Sequence, residues 1–375
     1  MTEPETRRFP YMFWAHTEAF RSPYCLSQSG MPMPDPHVLG EISGEGLLAH
    51  PCIYAQPEAE RRLAELFDVP PERVMVTVGA SGAMNLVAQQ FFRPGSRVVA
   101  DVPSYEPFRA LPELYGAELC IYQRQLETGW QIDPAEVERT LQGASGPGHI
   151  FITNPNNPTG AVLDASAVTE LAAVAGRAGG LLVCCEVYME YGTNEQRVHA
   201  ARLAPNAISI GSFTKAYGLG ALRVGWMILG EDVAARREEI MDISYLSYVD
   251  PPTASLSAAL VALDKLPDLL QPLRQVECHS RPHLDSWLSG TEGIEAHTPP
   301  FGIIAFPRVA AVTDTLALAE HLVEEFGVDV VPGEYFGMPG HIRVGCGMPE
   351  ATLVEGLVRL SNGIRSWRER ATSPS

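Results

Sequence analysis

Between about residue 57 and residue 260, short apolar runs alternate with stretches whose apolar positions recur every three or four residues. The runs Val74–Val78, Arg97–Val102, Glu118–Tyr122, His149–Thr153, Leu181–Cys185 and Ala207–Gly211 predict strands. Helices are expected between them. One opens at Gln56-Pro57-Glu58-Ala59-Glu60, where proline takes the first helical position and acids fill the first turn. Others cover Ala83–Phe92 and Ser166–Arg177, and Asp133-Pro134-Ala135-Glu136 forms a capping box. Such alternation implies right-handed crossovers and a mostly parallel α/β sheet. Parallel strands are covered on both faces, which accounts for unbroken runs such as Leu181-Leu182-Val183-Cys184-Cys185.

Past about residue 265 the texture changes. A long helix-like stretch reaches Leu288, strands are expected at Ile303–Phe306, Val328–Val331 and His341–Val344, and helices at Asp314–Phe326 and Pro349–Ser366. The pattern divides the chain into residues 41–265, a large domain, and residues 266–375, a smaller α+β domain. Residues 1–40 read as irregular and proline-rich, lying over the two domains, and Ala371–Ser375 as a frayed end.

Composition narrows the function classes. The formal net charge of −18, with acids spread along the chain, argues against nucleic acid or anionic membrane as partner. Any anionic ligand must be held by local groups acting against the global field. Met1–Pro10 has no apolar core of a signal peptide, and no uncharged apolar run is long enough to span a bilayer. The 7 cysteines follow no metal or disulfide spacing, so no metal site is expected and the chain reads as cytoplasmic with reduced thiols.

Ligands of open α/β sheets gather at the carboxyl ends of the strands, so the turns that follow the strands carry the chemistry. Gly79-Ala80-Ser81-Gly82 leads into a helix; small residues there admit an anion to backbone N–H groups, and also suit a tight strand–helix turn. Pro103-Ser104-Tyr105 puts an aromatic ring at the same edge, either for a flat ligand or as packing. Asn154-Pro155-Asn156-Asn157-Pro158-Thr159-Gly160 is a stiff turn offering an amide. Ser212-Phe213-Thr214-Lys215 ends an apolar strand with a lysine whose surroundings would lower its pKa and favour nucleophilicity. Arg223 offers a fork suited to phosphate. An amine, phosphate contacts and an aromatic ring fit pyridoxal 5′-phosphate, whereas a nucleotide site would want a phosphate loop or spaced glycines that are not present.

With these motifs in this order, from about Tyr54 to about Leu360, the chain resembles the class I/II aminotransferases of the fold-type I pyridoxal-phosphate enzymes. The resemblance implies an aspartate-aminotransferase-like fold: a large domain with a mostly parallel seven-stranded sheet flanked by helices, and a smaller C-terminal domain joined by the N-terminal segment. It implies that Lys215 is the Schiff-base lysine and proton shuttle. Ala80, Ser81, Gly82, Ser212 and Arg223 would form the phosphate cup, and Tyr105 would stack on the ring. Asn157 and Tyr188 would bond the cofactor's phenolic oxygen. Arg343 would clamp the substrate α-carboxylate, near Asn157 and Gly30. Tyr54 would reach the phosphate of a neighbouring subunit, which makes a homodimer the expected active form.

One position departs from the family pattern. Where Asp-Glu-x-Tyr is usual, this chain has Cys185-Glu186-Val187-Tyr188. The aspartate would face the pyridine nitrogen and keep it protonated; a thiol is a much weaker acid, though a cationic neighbour lowers its pKa. Strand alternation turns Glu186 away from Cys185. The expected activity is transamination of an α-amino acid through Lys215. A lyase, decarboxylase or amino-acid cyclase on the same scaffold is the first alternative, and an impaired or non-catalytic protein, motivated by Cys185, the second.

Overall fold

The computed structural model describes residues 9–40, 52–143 and 145–372, without the side chains of 52–54, 371 and 372. Seven strands form the main sheet: β1 (Val74–Val78), β2 (Arg97–Val102), β3 (Glu118–Gln123), β4 (Gly148–Thr153), β5 (Leu182–Cys185), β6 (Ala207–Ser212) and β7 (Val224–Leu229). Their order across the sheet is β1-β7-β6-β5-β4-β2-β3. Only β7 runs against its neighbours. This reversal brings the start of β7, next to Arg223, to the edge where β1 and β6 end: Val78 pairs with Val224 and Ser212 with Gly225.

Side chains alternate between two apolar layers. Along β5, Leu182 and Cys184 enter one layer with Ile150, Ile152 and Leu171; Val183 and Cys185 enter the other with Phe151, Ile208 and Met227. Each fully buried Val, Leu or Ile contributes roughly 1.5–3 kcal/mol, so slipping β5 by one residue would exchange both sets at once.

β7 was not among the strands expected from the sequence, because its glycine-rich approach reads as a turn. Gly225 is needed inside it: a Cβ there would lie 2.5 Å from the carbonyl carbon of Gly79 and 2.9 Å from the oxygen of Gly211. The helix expected to open at Pro57 instead spans Cys52–Phe67, with Pro57 inside; a proline so near the helix start removes a single ladder bond. The long stretch to Leu288 is divided into Leu266–Leu269, Gln271–Gln275, a π-helical turn Val276–Ser280 and Arg281–Gly290. Pro267 and Pro272 each stand at the start of a segment, where a missing N–H is tolerated, and Pro282 stands just past the π-helical turn.

The N-terminal stretch is not irregular throughout, contrary to expectation. Pro10–Thr17 forms a helix, α1, without a side-chain cap from Phe9. Its cap comes from elsewhere: the Glu106 carboxylate accepts from the N–H of Tyr11 (3.3 Å) and of Met12 (3.1 Å). Farther on, Tyr24–Cys25 pairs in parallel with Val328–Asp329. In the C-terminal region Ile342–Gly345 is flanked by Ile304–Ala305 and Val331–Pro332, all antiparallel, with helices Thr315–Phe326 and Glu350–Thr372 packed on each other. Residues 373–375 of the expected frayed end lie outside the described residues.

Candidate active site

The carboxyl ends of the strands, α1 and residues 28–39 enclose a cavity of about 850 Å³. At one end stand Ala80, Ser81, Ser212 and Arg223. β1 ends at Val78 and a helix, α2 (Gly79–Phe91), starts immediately, so its first N–H groups face the cavity. Gly79 has φ +66°, and a Cβ on it would lie 2.5 Å from Nη2 of Arg223; glycine is needed both for the turn and for the arginine beside it. Arg223 itself is left-handed (φ +54°), and its Nη1 donates to the Gly220 oxygen at 3.2 Å. Gly82 sits on the same helix without lining the cavity.

Lys215 reaches into the middle of this space. Its Nζ donates to Ser29 Oγ at 3.1 Å and lies 5.7 Å from the centre of the Tyr188 ring. Loss of hydration, more than any neighbouring charge, holds the amine below the ordinary lysine value. Gly30 lines the cavity against this side chain, with room for a Cβ only 3.4 Å from Lys215 Cδ.

Opposite Lys215, the turn after β4 presents Asn157. Buried hydrogen bonds fix that turn: Asn156 Nδ2 donates to Asp101 Oδ2 (3.1 Å) and to the Pro103 oxygen (3.2 Å), and Thr159 Oγ1 donates to Asn156 Oδ1 (2.7 Å). Asp101 is in turn paired with the fully buried Arg124 at 2.6 Å. Asn157 Oδ1 accepts from Arg343 Nη1 (2.9 Å), whose Nη2 donates to the Ser27 oxygen (2.7 Å). Arg343 is 2% exposed and its Nε has no partner. Three cations, Lys215, Arg223 and Arg343, therefore line one cavity in a chain of strongly negative net charge.

Cys185 closes β5 at the cavity floor. Burial pushes its thiol up to about 12, and the one cation among the leading influences, Lys215, does not offset this. Glu186 lies on the other side of the strand, as alternation requires: its carboxylate accepts from Ser209 Oγ (2.7 Å) and the Ala200 N–H (2.8 Å) and pairs with His199 Nδ1 (2.7 Å). The floor thus offers a neutral thiol.

The roof holds residues that the sequence did not single out. Tyr105 donates its hydroxyl to Met12 Sδ at 3.0 Å and meets the Tyr11 ring edge-on at 5.5 Å. Tyr11, Met12 and Ser29 all line the cavity. They come from a proline-rich stretch with no periodicity, and no local signal distinguishes them. The side chain of Tyr54 lies outside the described residues. Among the described residues no cluster of His, Cys, Asp and Glu is arranged to hold a metal, and no helix is long and apolar enough to cross a membrane.

Comparison with known proteins places this cavity in a wider group. The chain is 31% identical over 299 residues to capreomycidine synthase of Streptomyces vinaceus, a match covering 78% of this chain and 74% of that protein. It is 28% identical over 336 residues to a histidinol-phosphate aminotransferase of Symbiobacterium thermophilum, covering 87% and 86%. A PLP-dependent aminotransferase from Streptococcus suis has the same fold, with a TM-score of 0.85 over 96% of this chain and 98% of that one at 24% identity. The profile described as Aminotransferase class I and II matches residues 41–360. With its strand-end turns meeting at one cavity, the chain belongs to the class I and II aminotransferases, enzymes that depend on pyridoxal 5′-phosphate.

Proposed function

We propose that this enzyme moves the amino group of an α-amino acid to a keto acid, with Lys215 as the amine that transfers the α-proton. The observation that carries this is the convergence of Lys215, Asn157, Tyr188, Ser212, Arg223 and Arg343 on one cavity. The residues present suit the cofactor. Arg223 and the opening of α2, with the hydroxyls of Ser81 and Ser212 and the backbone of Ala80, suit its phosphate. Asn157 and Tyr188 suit its phenolic oxygen, and Tyr105 its flat ring. When bound, the cofactor supplies a carbonyl that condenses with amines and a ring that spreads the charge left at the α-carbon. Arg343 offers its fork to the substrate carboxylate beside Asn157, and Gly30 is the proposed further wall of that pocket. Its unpartnered Nε fits a group that accepts hydrogen bonds. Burial holds the Lys215 pKa below the ordinary lysine value, so its amine sheds a proton more readily than a solvated lysine.

A second reading, a lyase, decarboxylase or amino-acid cyclase, is favoured by Cys185. A neutral thiol cannot hold a ring nitrogen protonated as a carboxylate would, so charge on the α-carbon is less well spread. The likeness to a synthase points the same way. The active unit is proposed to be a cytoplasmic homodimer in which Tyr54 of one protomer serves the phosphate end of its partner; light scattering should give twice the chain mass.

Purified protein given pyridoxal 5′-phosphate should absorb near ~400 nm, and Lys215→Ala should abolish that band. A protein that ignores the cofactor would sink both readings. With a panel of amino acids, keto-acid formation that depends on an acceptor keto acid supports transamination. Release of ammonia or carbon dioxide without an acceptor favours the second reading.

A further inference from the structure

We infer that Ser29 is a positioning residue that holds the amine of Lys215 whenever that amine is unattached. The inference rests on Lys215 being the reacting amine. Residues 29–31 clasp the lysine at three points. Ser29 Oγ accepts from Nζ at 3.1 Å. Gly30, lacking a Cβ, lies along the aliphatic stem. The Met31 N–H donates to the Lys215 carbonyl at 2.8 Å. Ser29 is buried. Its backbone oxygen accepts from the Tyr191 hydroxyl at 3.4 Å.

The segment is fixed from both sides. Ser27 accepts through its carbonyl from Arg343 and donates through its hydroxyl to Asp329 Oδ2 at 3.1 Å. Ser29 therefore stands at a set position between the lysine and the groups proposed to hold substrate and cofactor. A serine oxygen can accept from the amine without itself giving up a proton.

The chemistry needs this only for part of the cycle. When its amine is free, Lys215 would take the α-proton and return it elsewhere; as an ammonium it would donate more strongly to Ser29 Oγ. The serine itself neither gains nor loses a proton. Desolvation of the amine makes such an acceptor matter more, because little water is present to replace it.

The test begins on the apoprotein. Competitive acetylation with acetic anhydride across a pH series, read at the Lys215 peptide by mass spectrometry, gives the titration midpoint of the amine. Ser29→Ala removes an acceptor that favours the ammonium, so its midpoint should fall by about one pH unit. Ser29→Thr keeps the hydroxyl and should stay within a few tenths of wild type. With cofactor added, Ser29→Ala should keep wild-type cofactor affinity. Its kcat on the fastest amino acid of the panel should fall about tenfold with KM unchanged. An unmoved midpoint in Ser29→Ala, or an equal shift in Ser29→Thr, would overturn the inference. The absorption band lost in Lys215→Ala tests the lysine itself, so either result can fail without the other.

Discussion

The floor of the cavity is made by strand ends and the turns that follow them: Ala80 and Ser81 after β1, Asn157 after β4, Cys185 at the end of β5, Ser212 at the end of β6 and Lys215 just past it. The roof is made by pieces far apart in the chain, α1, residues 27–31 and the strand bearing Arg343, joined by hydrogen bonds such as that from Arg343 to Ser27 and by aromatic packing such as Tyr11 on Phe336. Floor positions are set by sheet register, which buried apolar area enforces over whole strands. Roof positions are set by polar contacts, each worth about 1 kcal/mol, and by small apolar patches between segments distant in sequence. Changes in the floor should therefore show in cofactor binding and chemistry, and changes in the roof, apart from Ser29 at the lysine amine, in the handling of the amino acid.

The largest expected effect lies in the roof. Arg343→Ala removes a buried fork and leaves Asn157 Oδ1 and the Ser27 oxygen without that donor; KM for the amino acid should rise about 100-fold while cofactor affinity stays near wild type. If cofactor affinity falls equally, the two regions are not separable. Gly79→Ala is the matching change in the floor. It combines a strained left-handed backbone with displacement of Arg223, so the dissociation constant of the cofactor, followed by absorbance titration, should rise about 30-fold. Cys185→Asp adds a carboxylate to the floor and should raise the transamination rate about tenfold; unchanged kinetics would mean that the residue does not act on the ring. The smallest effect is expected from Glu106→Gln. An amide oxygen accepts the two N–H groups of α1 less strongly than a carboxylate, a loss of about 1 kcal/mol that should raise KM about fivefold without touching cofactor affinity.

The same division explains what could be read in the sequence. Six strands and the turns after them were legible because apolar runs and Asn, Pro, Gly and Lys at the strand ends act over a few residues. Cys185 stood out only through the family resemblance, as a departure from its Asp-Glu-x-Tyr pattern, and Glu186 was correctly turned away from it by alternation. β7 escaped because Gly225 is set by close approach of two other backbones, a tertiary cause. α1 escaped because its cap, Glu106, lies some 95 residues away in sequence. Ser29 escaped because a serine in a proline-rich stretch has nothing local to mark it; its importance comes from Lys215, 186 positions further on.

The buried pair of Arg124 and Asp101 lines no part of the cavity, yet through Asn156 it anchors the turn that presents Asn157. A random-mutagenesis screen scored on activity would therefore recover Arg124 among its strongest hits. A map of inactivating substitutions drawn on this protein would extend behind the sheet edge, well beyond any atom that meets the substrate.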